Sequence, residues 1–408
     1  MVMKEERVIL HCDCNGYFAS VEILLKPSLK DIPMAVAGDP ENRHGIILAK
    51  NEIAKSFGVK TAETISEARR KCPGLTLVPP HHELYREYSE KINQIYLDYT
   101  DYVEPFSIDE SYLDVSSTWH QFAGCPHELA DRIRHRVRKE IGITISVGVS
   151  FNKVFAKLAS DLKKPDATTV IPRSQIENIV WPLDITNLLY VGKITAQKLR
   201  DININTIADI ARADPDFLFS YLGKQGKTLS CYARGLDRSP VSRFDQLAEA
   251  KSIGNSQTFK EDLNSYKELK KELVALTEEV SQRMIEAKKL AYVIQIQIKS
   301  FDFKVSSKQL SLRDPVRSVD EISKIALKLL EELWDKQTPV RLLAVTANKL
   351  VDEGEASFQP SLFDLQAKKD SLEQKLLADK KKKELSSLVE GLNRKLGSDK
   401  LRLGNSTE

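Results

Sequence analysis

Val8-Ile9-Leu10-His11-Cys12 runs straight into Asp13-Cys14-Asn15-Gly16, and the reading of the chain turns on that junction. A short β-rich run bounded by a polar, turn-forming cluster predicts a buried strand whose end carries an acidic residue. A second acidic site lies in Tyr102-Val-Glu-Pro-Phe-Ser-Ile-Asp-Glu-Ser-Tyr-Leu-Asp-Val115, which reads as two strands meeting at a turn near Asp109-Glu110. From 128 to 141, Leu129, Ile133, Val137 and Ile141 recur every four residues and mark one apolar helix face, while Arg132, Arg134, Arg136, Arg138 and Lys139 occupy the rest. Ile143 to Ser150 alternates as a strand. Asn152 to Asp161 reads as a helix that stops before Lys164-Pro165. Strands and helices interleave, so this first region is α/β or α+β.

Further along, 251–350 has the order β-α-β-β-α-β. Lys251–Phe259 is strand-like; Leu269, Leu273, Leu276 and Val280 mark a helix; Tyr292–Lys299 alternates apolar and polar; Val305–Leu312 is a strand; Ile322, Ile325, Leu329 and Leu333 mark a second helix; Arg341–Lys349 closes as a strand. Between the two regions, 165–240 is mostly helical and holds Val191-Gly192-Lys193-Ile194-Thr195-Ala196-Gln197-Lys198-Leu199. After 350 a polar stretch, Val351-Asp352-Glu353-Gly354-Glu355-Ala356-Ser357, reads as a linker.

A chain of 408 residues with 41% hydrophobic and 29% charged residues is an ordinary globular composition with material for several cores. Lys+Arg is 61 against Asp+Glu 58, so the net charge of +3 does not by itself imply nucleic acid, and any basic surface must come from local clustering. Five cysteines, an odd number, do not form a disulfide framework and fit reduced thiols in a cytosolic protein. The N-terminus lacks a signal-peptide pattern and no segment is apolar for long enough to span a bilayer, so a soluble, cytoplasmic protein without a membrane partner is expected.

Asp13 and the pair Asp109-Glu110 are carboxylates from separate segments, each at a strand end. Mg²⁺ takes oxygen ligands and is held by one or two carboxylates plus substrate phosphates. Two such ions stabilise the attacking and the leaving oxygen of a nucleotidyl transfer. Neighbouring residues in a regular strand face opposite ways, so Asp109 and Glu110 can share a metal site only where the chain bends or ends. Spacing alone equally fits a helix N-cap at Asp13 and turn acids at 109–110. Zinc at His11-Cys12-Asp13-Cys14 is rejected, since one residue between the cysteines is too tight and no second ligand pair exists.

The words around the acids are more specific. His11-Cys-Asp-Cys-Asn-Gly-Tyr-Phe-Ala-Ser-Val-Glu22 and Ser107-Ile-Asp-Glu-Ser-Tyr-Leu-Asp-Val115 closely resemble the Y-family DNA polymerases, in particular the bacterial DNA polymerase IV branch. The resemblance continues through Phe57-Gly-Val-Lys60, Tyr99 to Pro105, Val147 to Pro165 and Pro339-Val-Arg-Leu-Leu343, and covers essentially 7–350. It implies an α+β right-hand polymerase: a ferredoxin-like palm (1–17 and 80–164), small fingers (18–79), a helical thumb with a helix-hairpin-helix (165–240), and a βαββαβ little-finger domain that grips DNA (245–350). It further implies template-directed, low-fidelity extension of a primer 3′ end, translesion synthesis, two Mg²⁺ ions, and primer–template DNA and deoxynucleoside triphosphates as substrates of a monomer.

Carried over residue by residue, Asp13, Asp109 and Glu110 would be the catalytic metal-binding acids, with the Cys14 carbonyl as a further ligand. Tyr17, Phe18, Lys55 and Lys157 would face the nucleotide, Phe18 being the bulky wall that clashes with a ribose 2′-hydroxyl; without the motif Phe18 reads as a core aromatic. Lys153 lies on the same helix face as Lys157 and reads equally as a solvated lysine. The family's Tyr and Arg of the fingers are Glu52 and Lys55 here, so triphosphate contacts there are altered: Lys55 lacks the bidentate fork of Arg. The Val191–Leu199 segment resembles a helix-hairpin-helix whose usual first glycine is Tyr190.

Gln359-Pro-Ser-Leu-Phe-Asp-Leu365 resembles the peptide by which bacterial polymerases bind the sliding clamp, with Gln359, Leu362 and Phe363 as anchors on a tether. The tail 366–408 is lysine-rich, with Lys380 to Lys383 consecutive. A nucleotidyl cyclase, which shares the palm topology, would lack the thumb, the DNA-gripping domain and the clamp peptide. A non-catalytic binding module would not need the three acids.

Overall fold

Strand β1 (Ile9–Cys14) is longer than its sequence suggests. It carries on through Asp13 and Cys14, and all six residues are buried. The reason lies in its neighbours: β1 is the central strand of a five-stranded sheet, paired antiparallel with β6 (Glu110–Asp114) on one side and β7 (Ile145–Ser150) on the other, so its polar end is held by hydrogen bonds to both. In this computed structural model, residues 6–38, 45–246 and 249–354 are described, in two compact units that divide the chain between Glu249 and Ala250.

After β1 come α1 (Tyr17–Leu25), β2 (Met34–Ala37), β3 (Ile47–Lys50), α2 (Glu52–Ser56), α3 (Ile65–Lys71) and β4 (Thr76–Val78). Strands β3-β2-β4 form a small separate sheet. Its turns are locally encoded: Asn51 caps α2 by accepting from Ala54 N–H at 2.9 Å, and Thr64 and Glu67 form a capping box on α3. The chain then returns to the large sheet through α4 (His82–Leu97), β5 (Val103–Pro105), β6 (Glu110–Asp114), α5 (Pro126–Ile141), β7 (Ile145–Ser150), α6 (Lys153–Leu162) and β8 (Thr168–Ile171). The order across the sheet is β5-β6-β1-β7-β8, and β8 pairs parallel with β7. The domain boundary expected at 164 therefore falls inside this sheet, because β8 lies beyond it.

The alternation of β1 sorts its two faces. Leu10, Cys12 and Cys14 enter the core built by α4 (Ile92, Ile95, Tyr96) and α5 (Leu129, Ile133, Val137). Ile9, His11 and Asp13 face the other way, toward α6. That helix lies unusually close. A Cβ on Gly148 of β7 would stand 1.9 Å from the Ala156 carbonyl oxygen and 2.4 Å from Ser160 N.

Helices α7 (Lys193–Asp201), α8 (Ile207–Arg212), α9 (Pro215–Leu222) and α10 (Lys224–Ala233) complete the first unit, around a core that includes Ile185, Leu199, Ile207, Ile210 and Leu218. Tyr190, just before α7, has φ 69°, the left-handed region that glycine takes freely. The missing hairpin glycine is thus replaced in sequence but not in backbone conformation. Tyr190→Gly is expected to stabilise the unit by about 0.5–1 kcal/mol, the left-handed penalty outweighing glycine's extra unfolded entropy. A melting temperature that falls instead would show that the Tyr190 ring, 6.2 Å from that of Tyr232, matters more than its backbone.

The second unit follows the expected order: β9 (Ser252–Leu263), α11 (Tyr266–Glu286), β10 (Lys289–Ser300), β11 (Val305–Val316), α12 (Val319–Leu333) and β12 (Val340–Asp352), with sheet order β11-β10-β12-β9. Leu269, Leu273, Leu276 and Val280 of α11 and Ile322 and Leu329 of α12 are buried in one core with Ile294, Ile296 and Ile298. The register places a different set on the opposite face: Gly254, Thr346, Gln295 and Gln309 stand in one row across the four strands, and Ser256, Ala344, Gln297 and Ser307 in the next. That face is small, polar and free of carboxylates in these rows.

Candidate active site

The register of β1 against β6 puts Asp13 directly opposite Glu110. Facing residues of an antiparallel pair have Cβ atoms roughly 5 Å apart, within mutual reach of two carboxyl groups. Asp109 sits one residue before β6 begins, in a bend rather than in the strand, which is the geometry its sharing of a site with Glu110 requires. Its backbone oxygen accepts from Cys14 N–H at 3.0 Å, tying the bend to the end of β1. Its carboxylate accepts from Ser107 Oγ at 2.6 Å.

Two lysines neutralise the other acids. Lys157 of α6 places Nζ 2.7 and 2.8 Å from the two oxygens of Glu110. Lys164 places Nζ 2.7 Å from Asp13 Oδ2 and 2.7 Å from Asp161 Oδ1. Burial resists ionisation of Glu110, yet the neighbouring His11 and the directly bound Lys157 outweigh it and hold the group well below the usual carboxylate range. For Asp13 the balance reverses: burial, helped by the neighbouring Glu110, raises the carboxyl despite Lys164. Two acids so close cannot both be comfortable as anions without cations between them. Among the described residues no three His, Cys, Asp or Glu side chains form a ready-made metal cradle. Lys157, Lys164 and Ser107 each hold one of the three acids, so ion binding means exchanging these partners. The donor set itself, carboxylate and carbonyl oxygens, suits a hard divalent cation.

The residues expected to face the nucleotide divide. Phe18 is half-buried and stacks on Tyr85 with centroids 4.1 Å apart and 14° between planes, which backs its ring rigidly. Tyr85 is held in turn by a short hydrogen bond to the buried Glu22, which also meets His81 Nδ1 at 2.8 Å. Tyr17 is turned inward instead. Tyr17 is 3% exposed and its hydroxyl donates to the Tyr85 carbonyl at 2.5 Å, so its side chain belongs to the core. Lys153 is likewise committed elsewhere, to Glu104 at 2.6 Å. Lys55 is exposed and paired with Glu52 at 3.1 Å. Near them a pocket of about 330 Å³ is lined by Asn15, Gly16, Ser20, Lys50, Glu52 and Asp166. Gln359, Leu362 and Phe363 lie outside the described residues.

Sequence reasoning missed Lys164 and Tyr85. Lys164 stood in plain view in Lys163-Lys164-Pro165, but only the return of the chain past β1 brings it 151 residues back to Asp13. Tyr85 has no local signal beyond helical spacing.

The impB/mucB/samB family model matches residues 12–161, and the model of that family's C-terminal domain matches 250–362. The DNA polymerase IV of Acetivibrio thermocellus is 44% identical over 90% of this chain and 92% of its own length. DNA polymerase IV 1 of Bacillus subtilis is 36% identical over 98% of this chain and 93% of its own. Among solved structures, a chimeric Y-family DNA polymerase is similar with a TM-score of 0.77 at 26% identity, covering 85% of this chain and 99% of that one. These matches take in both units and both acidic segments, and the chain belongs to the impB/mucB/samB family, the Y-family DNA polymerases.

Proposed function

We propose that this chain extends a primer 3′ end on damaged templates by a two-metal nucleotidyl transfer at Asp13, Asp109 and Glu110. The observation that carries the reading is the facing of Asp13 and Glu110 across β1 and β6, each neutralised by one lysine. The family is that of translesion DNA polymerases, which depend on divalent metal and act on primer–template and deoxynucleotides. Two Mg²⁺ ions, when bound, would neutralise charge at the attacking and leaving oxygens. Asp13 and Glu110 would hold the ions in place of Lys164 and Lys157, whose ammonium groups would then be free to answer phosphate charge. The primer 3′-oxygen forms its bond to the α-phosphorus as the bond to the bridging oxygen breaks and pyrophosphate leaves.

Phe18, backed by Tyr85, occupies the space a 2′-hydroxyl would need. The polar open face of the second unit's sheet suits a phosphate backbone, which is gripped without reading sequence. The peptide 359–365 would tether a monomer to the sliding clamp. The test is single-nucleotide insertion opposite intact and damaged bases, with and without clamp. Wild type should insert deoxynucleotides in Mg²⁺ and reject ribonucleotides, Phe18→Ala should accept both, and deletion of 359–365 should remove clamp stimulation. No insertion by wild type under any of these conditions would defeat the reading.

Glu52 gives this site a departure of its own. A carboxylate beside Lys55 repels the triphosphate and occupies a fingers cation that would meet it. Glu52→Gln is expected to lower KM for the nucleotide about two- to fivefold with kcat nearly unchanged, the scale of an exposed charge pair. The gain should fade as salt is raised. An unchanged KM at low salt would place Glu52 outside the nucleotide's reach.

A further inference from the structure

His11 is the most conspicuous group that the chemistry above leaves unused. It lies in the middle of β1, wholly buried, between Tyr112 of β6 and Gly148 of β7. Its Nδ1 is 2.8 Å from Ser160 Oγ, and its Nε2 has no hydrogen-bond partner. Glu110 Oε2 is 3.6 Å from that nitrogen, just beyond hydrogen-bond length.

The proton arrangement can be argued. Ser160 has one hydroxyl hydrogen and two neighbours able to take it, the Lys157 carbonyl at 2.7 Å and His11 Nδ1. If the carbonyl takes it, Nδ1 must carry the ring hydrogen of a neutral imidazole. Nε2 is then a bare lone pair aimed at a carboxylate, in a place no water reaches. If Nδ1 takes it, the hydrogen sits on Nε2 and points at the anion. The second arrangement replaces a buried repulsion by an attraction, and it wins.

What keeps Nε2 short of contact is Lys157, which holds both oxygens of Glu110. Resting on the metal-site reading given above, we infer that His11 is the positioning residue of Glu110. When Glu110 releases Lys157 in exchange for a divalent ion, Oε2 closes onto His11 Nε2–H, and Ser160 fixes which ring nitrogen carries that hydrogen. A carboxylate that ligates a metal is normally oriented by such an outer hydrogen bond, and losing one weakens the metal about 10- to 100-fold. The close seat of α6 on Gly148 makes the arrangement possible, since it brings both Ser160 and Lys157 to the same face of β1.

The test measures Mn²⁺ binding to the full chain with primer–template DNA, by electron paramagnetic resonance, in wild type, His11→Leu, His11→Gln, Ser160→Ala and Glu110→Gln. His11→Leu should weaken Mn²⁺ about tenfold or more and raise the Mg²⁺ needed for half-maximal insertion in parallel, with nucleotide KM unmoved at saturating Mg²⁺. His11→Gln, whose amide nitrogen can reach the place of Nε2, should restore most of the affinity. Ser160→Ala should shift it in the same direction by less. Wild-type Mn²⁺ affinity in His11→Leu overturns the inference. Should His11→Leu fail to fold, wild-type affinity in Ser160→Ala together with loss in His11→Gln overturns it, because His11 would then only fill space. If Glu110→Gln leaves Mn²⁺ binding intact, the fault lies with Glu110 as a ligand and both readings fall at that residue.

Discussion

Glu110→Ala is expected to lower kcat for nucleotide insertion by at least about three orders of magnitude, roughly 4 kcal/mol of barrier, while primer–template binding stays close to wild type. The size follows from what the side chain faces. Glu110 is held well toward its ionised form, and it stands across from Asp13, where two strands bring carboxylates together. Removing it leaves the proposed metal site with one in-strand acid. Stability should move by less than about 1 kcal/mol, because two effects oppose: Lys157 loses its partner, and Asp13 loses an unfavourable neighbour. Glu104→Ala makes the contrast. Glu104 binds Lys153 at 2.6 Å and the Ser242 N–H at 2.8 Å, so its loss should destabilise the unit and leave insertion largely intact. Insertion by Glu110→Ala within tenfold of wild type would remove Glu110 from the chemistry.

Gly148→Ala should damage the enzyme almost as severely by an unrelated route. The new methyl would lie 1.9 Å from the Ala156 carbonyl oxygen and 2.4 Å from Ser160 N, both backbone atoms of α6 that cannot rotate away. Relief requires α6 to lift off the sheet by more than an ångström. Overpacking of this kind costs about 1–3 kcal/mol and more when backbone must move, so a fall in melting temperature of several degrees is expected. The same displacement carries Lys157 and Ser160 away from β1, and misplacement by about 1 Å can cost roughly 100-fold in rate. Gly74→Ala is the control, since its added methyl meets nothing within 4 Å and its backbone is not left-handed. Gly148→Ala with unchanged stability and rate would mean that α6 does not sit as described.

Much of the scaffold was legible in the sequence because its causes are local. The four-residue recurrence of Leu129, Ile133 and Val137 is a helix face, and all three are fully buried in α5. The alternation in Tyr-Val-Ile-Gln-Ile-Gln-Ile-Lys fixes which side of β10 meets α11 and α12. The motif words around Asp13 and Glu110 carried the family, and with it the polymerase reading. What they could not carry was pairing. Whether β1 stops before Asp13 or runs through it depends on β6 and β7, which set Glu110 and Ser146 opposite Asp13 from far along the chain.

The same non-locality separates the lysines. Lys153 and Lys157 share a helix face and look alike in sequence, yet one is spent on Glu104 and the other reaches Glu110. Lys164 meets Asp13, Tyr17 turns into the core, and His11 finds Ser160, each through an approach of α6 or α4 to segments set elsewhere in the chain. Sequence by itself determined the elements, their order and the family, since periodicity and motif are properties of neighbours along the chain. Only the tertiary structure decided which charge answers which, because strand register and the seat of α6 on Gly148 are properties of segments that meet only when folded.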